Sequence, residues 1–195
     1  MMYPYKNFFS ALLVLLFFGS TMWSQKDVLP LDLQEAYTNL DKTIGIQNTR
    51  LFTGVEYIEN HRMINEKHKF FESDKFQKGN VVYDGQVFNN VTLRFNVFDD
   101  VLIVNIQQKK RNSFFQLISD KVNSFQINNH QFIYLDPIDN SNVRGFYEVI
   151  SEEESFKIFK KHIKKKNEQN DKSIVYFEFT TKNPDYFFQF DGKFY

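Results

Sequence analysis

The chain of 195 residues contains no cysteine. That excludes a disulfide-stapled scaffold, a thiolate metal centre and a cysteine-linked lipid anchor. Seven glycines and four prolines are too few for a collagen-like or low-complexity chain. Lys plus Arg and Asp plus Glu are 24 each, so the basic excess of a wholesale nucleic-acid binder is missing. No P-loop, G-x-G-x-x-G, G-x-S-x-G or H-E-x-x-H pattern occurs. No residue is therefore nominated as catalytic, cofactor-binding or metal-ligating, and no cofactor is expected. Phenylalanine is the residue in excess, at 24 positions. With 42% hydrophobic and 25% charged residues the composition is globular, and the length suits one domain.

The first 24 residues read as a secretory signal peptide. Lys6 supplies the positive start, and the apolar run from Phe8 to Gly19 is too short for a bilayer span of about 20 residues. Small residues follow at Gly19, Ser20 and Ser24, so cleavage is expected at Ser24/Gln25, with Ser20/Thr21 the alternative and an uncleaved anchor the competing reading. Removing 24 of the 195 residues leaves 171, with four of the 24 phenylalanines and the single tryptophan, Trp23, gone. The expected location is the periplasm or the outer-membrane surface. An exported domain without cysteine is held together by core burial.

Residues 25–50 read as a lead-in with a short helix from Pro30 to Thr43, because Leu31, Leu33, Ala36, Tyr37 and Leu40 recur at helical spacing. Residues 51–195 read as a single β-rich domain. Val91, Leu93, Phe95 and Val97 alternate with Thr92, Arg94 and Asn96, then Leu102, Val104 and Ile106 alternate after the turn at Asp99-Asp100. Asp84-Gly85 is a type I′ hairpin dipeptide. Further strands are expected at 54–58, 79–83, 114–118, 122–127, 131–135, 145–150, 173–181 and 186–190. Residues 60–75 and 164–171 are polar and read as connections. Residues 151–170 are open between helix and strand, with strand preferred at 156–163. Short turns between successive strands predict an antiparallel meander, a strongly twisted sheet or partial barrel. There is no strand–helix–strand rhythm and so no doubly wound nucleotide-binding sheet.

Several clusters invite a functional reading and a blander one. His61 and His68 lie seven residues apart, with Glu59, Glu66 and Glu72 nearby, but solvated loop histidines are the simpler account. Asp136, Asp139 and Ser141 resemble part of a calcium loop without its spacing or its glycine. Lys157–Lys166 could touch phosphate groups on lipid or polysaccharide, or could be a solvated face balanced by Glu152–Glu154. Phenylalanine at strand alternation is core more often than a binding platform.

Gly54-x-x-Tyr57, Phe70-Phe71, Phe76-x-x-Gly79 and the run Tyr83-Asp84-Gly85-Gln86-x-Phe88-x-Asn90-Val91-x-Leu93-x-Phe95 resemble a group of uncharacterised exported proteins of Bacteroidota, of flavobacterial type. Ser124-Phe125, Phe132, Gly145-Phe146-Tyr147 and the leader ending Ser24-Gln25 extend the likeness. The resemblance implies a mostly-β exported domain without established activity. It also implies a hairpin with a basic second strand after Gly145-Phe146-Tyr147, which is why 156–163 reads as strand. Similar chains run on into a Lys-rich helical tail where this one stops at Tyr195, so a truncated or shortened member is expected.

The function expected is that of an exported, non-enzymatic β-domain acting as an envelope-associated interaction or assembly module. Its partner would be an envelope protein or glycan, not nucleic acid, with membrane association but no transmembrane helix. The alternatives are a secreted hydrolase using turn carboxylates such as Asp84, Asp99 or Asp136, and a small outer-membrane β-barrel with outward-facing phenylalanines.

Overall fold

The structure is a computed structural model that describes residues 49–108, 111–136, 143–153, 155–191 and 193–195, with a few isolated positions between 35 and 45. The leader, the expected helix over 30–43 (isolated positions apart) and most of the loop at 136–142 fall outside the described residues. Two segments of 3-10 helix, Arg50–Thr53 and Ser119–Lys121, accompany the strands.

The strands are β1 (Val55–Glu56), β2 (Gln77–Tyr83), β3 (Gln86–Asn96), β4 (Val101–Gln108), β5 (Arg111–Gln116), β6 (Val122–Ile127) and β7 (His130–Leu135). They continue as β8 (Gly145–Glu152), β9 (Phe156–Lys161), β10 (Lys164–Asp171), β11 (Ile174–Thr181), β12 (Asp185–Phe190) and β13 (Lys193–Phe194). Eleven of them form one antiparallel sheet in the order β1-β5-β4-β3-β2-β6-β7-β8-β9-β12-β13, and β10 pairs with β11 as a separate hairpin. The meander is as expected. The order does not close on itself, so the described residues form no barrel.

Local chemistry explains the turns. Asp84 and Gly85 both have positive φ, 51° and 77°, the type I′ geometry that matches strand twist. Asp100 and Asn128 reverse the chain at the β3–β4 and β6–β7 turns with φ of 55° and 53°. Asp and Asn tolerate this left-handed conformation better than other side chains.

The alternating residues of β3 face one core with Val81, Tyr83, Leu102, Val104, Ile106, Phe125, Phe132 and Phe146, capped by Leu51 and Phe71. Within it Phe125 stacks on Phe132 at 4.7 Å, and Phe95 touches Phe125, Phe132 and Phe146 at 5.1–5.7 Å between ring centroids. Each such ring contributes about 1.5–3 kcal/mol relative to exposure. Strand β4 is buried on both faces, because Val101 and Ile103 pack outward under Phe70, Tyr57, Met63 and Phe76. A third cluster joins Val143, Tyr147 and Phe159 to Phe187 and Phe194. Most described phenylalanines thus serve the interior or its margin.

Two expectations need correction. Lys164–Asp171 is not a linker but β10, paired along its whole length with β11. Its residues are mostly exposed, so no apolar alternation marks it, and the partner strand supplies the order. Pairing of sequence neighbours also fails three times, once where β1 pairs with β5 and not with β2. β6 returns past three strands to pair with β2, and β12 skips the β10–β11 hairpin to pair with β9. The first return depends on Gly79, where a side chain would overlap the Gln126 carbonyl oxygen. Residues 60–75 are a connection as expected, and one that anchors the hairpin: Phe177 N–H donates to Arg62 O at 2.9 Å and Phe179 N–H to Lys67 O at 2.8 Å. The segment left open between helix and strand at 151–170 holds the end of β8, all of β9 and most of β10.

Candidate functional site

Neighbouring strands β7, β8 and β9 are registered so that Phe132 lies opposite Glu148 and Glu148 opposite Lys160. Residues two apart on a strand share a face. His130 therefore joins Phe132, and His162, two residues past Lys160, comes to the same end. Both histidines meet the buried Glu148: His130 Nδ1 contacts one carboxylate oxygen, and His162 Nε2 lies 2.7 Å from the other. Lys160 Nζ is 3.6 Å away, and the far nitrogen of His130 is 3.0 Å from Glu72. His130 can donate to both carboxylates only when its ring carries both protons. Phe71 packs edge-on against both imidazoles at 5.1 and 4.9 Å.

This cluster forms one wall of a cavity of about 460 Å³ between the sheet and the chain entering and leaving the β10–β11 hairpin. His68, Lys164 and Lys182 stand on the other walls, with Ile163 and Pro184. Lys164 Nζ donates to the His68 carbonyl at 2.6 Å. Neither Lys164 nor Lys182 has a carboxylate partner among the described residues. The lining therefore carries three lysines and three histidines against Glu72 and the Glu148 behind it. With the histidines neutral, the three lysines exceed the two carboxylates by one positive charge.

Burial opposes the charge on Glu148, but hydrogen bonds from His130 and His162 and the nearby Lys160 outweigh it, and the carboxyl sits below its ordinary value. Burial lowers His162 more than Glu148 raises it, and burial with the Lys164 charge lowers His68. A histidine lowered in this way binds fewer protons folded than unfolded, so its contribution is present above about pH 6.5 and lost as pH falls through the folded value. Glu148 acts in the same direction further into acid. The melting temperature is expected to drop between pH 7.5 and 5.5, and His162→Gln to make that drop smaller. An unchanged slope in the variant would falsify this assignment.

The sequence candidates are distributed differently. His61 and His68 are not joined. His61 faces a second cavity, of about 530 Å³, beside Lys69. Lys69 is 2% exposed and ion-paired to Glu59 at 2.9 Å and Asp99 at 3.2 Å. Burial works against its charge, but Glu59 and Tyr57 prevail and hold it above the ordinary value, which suits a structural cation and not a nucleophile. Burial and the hydrogen bond to Glu59 push Tyr57 up to about 12. Asp84, Asp99 and Asp136 sit on three separate turns, paired with Arg50, Lys69 and Arg144 respectively. Among the described residues no hydrogen bond or ion pair joins any two of them. Asp139 and Ser141 lie outside the described residues. Among the described residues no group of histidines and carboxylates is arranged to hold a metal ion.

The basic run is mostly engaged residue by residue. Lys157 pairs with Glu152 at 2.7 Å, Lys161 with Asp100 at 2.7 Å, and Lys166 lies over the Phe98 and Phe177 rings. Two signals could have located the site from sequence. Glu148 is a carboxylate set between the apolar pairs Phe146-Tyr147 and Val149-Ile150, and Lys160-x-His162-x-Lys164 places three basic groups at a strand period. Comparison with family models, curated proteins and solved structures finds no match for this chain.

Proposed function

We propose that the protein is an exported, non-enzymatic binding module of the cell envelope, whose ligand enters the cavity walled by His130, His162, Lys160, Lys164 and Lys182. The observation that carries this is the surplus of cationic side chains around one accessible volume, two of the lysines lacking a carboxylate partner among the described residues. A cavity of 460 Å³ lies within the range of small-molecule and side-chain recognition sites. No helix among the described residues is long and apolar enough to cross a membrane.

A photo-crosslinking residue at Lys182 tests the reading, with the exposed Asn123 on β6 as control. Crosslinking in cells is expected to give an envelope-fraction adduct from position 182 and none from 123. Protein recovered free in the medium, without adduct at 182, would count against it.

A further inference from the structure

An apolar strip begins beside the cavity wall at Lys160. In the β9–β12 register Lys160 lies opposite Tyr186, Ile158 opposite Phe188, and Phe156 opposite Phe190. Residues directly opposite in an antiparallel pair share a face, so one strip runs from the cavity wall at Lys160 outward to Phe156. Four residues of strand give it a length of about 13 Å. Tyr186, Phe188 and Phe190 on this strip are 51%, 42% and 50% exposed. Phe156 and Phe188 are stacked at 6.1 Å. The reverse face of the same two strands is the packed one: Phe159 is buried, and Phe187 meets Tyr147 edge-on at 5.3 Å. The aromatic strip is therefore surplus to the core. Contiguous apolar surface of this kind marks an interaction site.

We infer that the site takes an anionic amphiphile, a lipid molecule whose charged head occupies the basic cavity and whose hydrocarbon lies along the Ile158–Phe188–Phe190 strip. The inference rests on the reading of the cavity as the binding site. Charge complementarity selects the head, since Lys164 and Lys182 have no carboxylate among the described residues to satisfy them. A purely apolar partner would bury the Lys182 charge unpaired and leave Lys164 with only the His68 carbonyl, at a cost of several kcal/mol. A free small anion would use the cavity and leave the strip in water. An amphiphile satisfies both, and the lysine stems can lie against its chain with their ammonium groups at the head.

Calorimetric titration of the purified protein with submicellar dodecyl phosphate, dodecyl maltoside and inorganic phosphate separates the cases. Dodecyl phosphate is expected to bind at least ~10-fold more tightly than either other probe, about 1.4 kcal/mol. Lys164→Gln with Lys182→Gln should weaken it about tenfold. Phe188→Ser with Phe190→Ser should weaken dodecyl phosphate to a similar degree and leave inorganic phosphate unchanged. In the unsubstituted protein, amide shifts on adding dodecyl phosphate should fall on β9, β12 and His162. Equal affinity for inorganic phosphate, equal affinity for the maltoside, absence of binding, or shifts confined elsewhere would each overturn the proposal. Failure here together with a Lys182 crosslink in cells would leave the binding-module reading standing and dispose of the amphiphile alone.

Discussion

Gly145→Ala is expected to lower the stability of the fold by about 3 kcal/mol, the sum of backbone strain and displacement of the Asp100–Lys161 ion pair. Gly145 opens β8 with φ of 115°, a conformation that L side chains rarely adopt. A Cβ there would overlap the Asp100 carboxylate and lie 2.5 Å from Lys161 Nζ. Those two groups form an ion pair at 2.7 Å that also receives the Phe146 N–H at 3.2 Å. Burial raises the Asp100 carboxyl against the pull of Lys161, so displacing the lysine leaves a carboxylate poorly supported. The β3–β4 turn and the β8–β9 pair meet at this point, and the strain would reach the register that sets Glu148 against Lys160. Equilibrium urea unfolding measures the loss. Gly85→Ala is the control, because Gly85 also has positive φ but has open space around it. Its cost should be strain alone, about 1 kcal/mol. Equal losses in the two variants would show that the close approach at Gly145 is unimportant.

Phe132→Ala should cost about 4 kcal/mol, the range for deleting a fully buried aromatic ring. Phe132 is completely buried and touches Phe71, Phe95, Phe125 and the His162 ring. It connects the main core to the floor of the cavity. Phe132→Leu keeps most of the volume and should cost about 1.5 kcal/mol. Phe188→Ala, on the exposed strip, should stay within about 0.5 kcal/mol. The contrast between Phe132 and Phe188 in the same urea experiment separates phenylalanine used as core from phenylalanine left for a ligand. A loss at Phe188 matching that at Phe132 would mean the strip is structural, and would argue against its proposed use.

Sequence alternation located strands well where one face is buried and the other wet. Strand β3 is the clear case, with Val91, Leu93 and Phe95 all inside. It also located the hairpin at Asp84-Gly85, because a turn needing two positive φ values admits few residues. It missed β10, whose polar residues bury little and whose strand conformation is imposed by β11. The site was missed for a related reason. His61 and His68 are close in sequence, yet the chain between them passes over the sheet and delivers them to different cavities. His130 and His162 are remote in sequence, but β7, β8 and β9 are adjacent, and Glu148 lies between them.

The sequence by itself determined the class of object: a cysteine-free, phenylalanine-rich antiparallel meander with no catalytic signature. Local rules suffice for that, since strand period and turn chemistry act over two to four residues. The tertiary structure alone decided the return of β6 to β2, the open ends of the sheet, and which charges remain unmatched. These depend on contacts across tens of residues, where one glycine approach or one strand register moves a histidine from a solvated turn to the wall of a cavity.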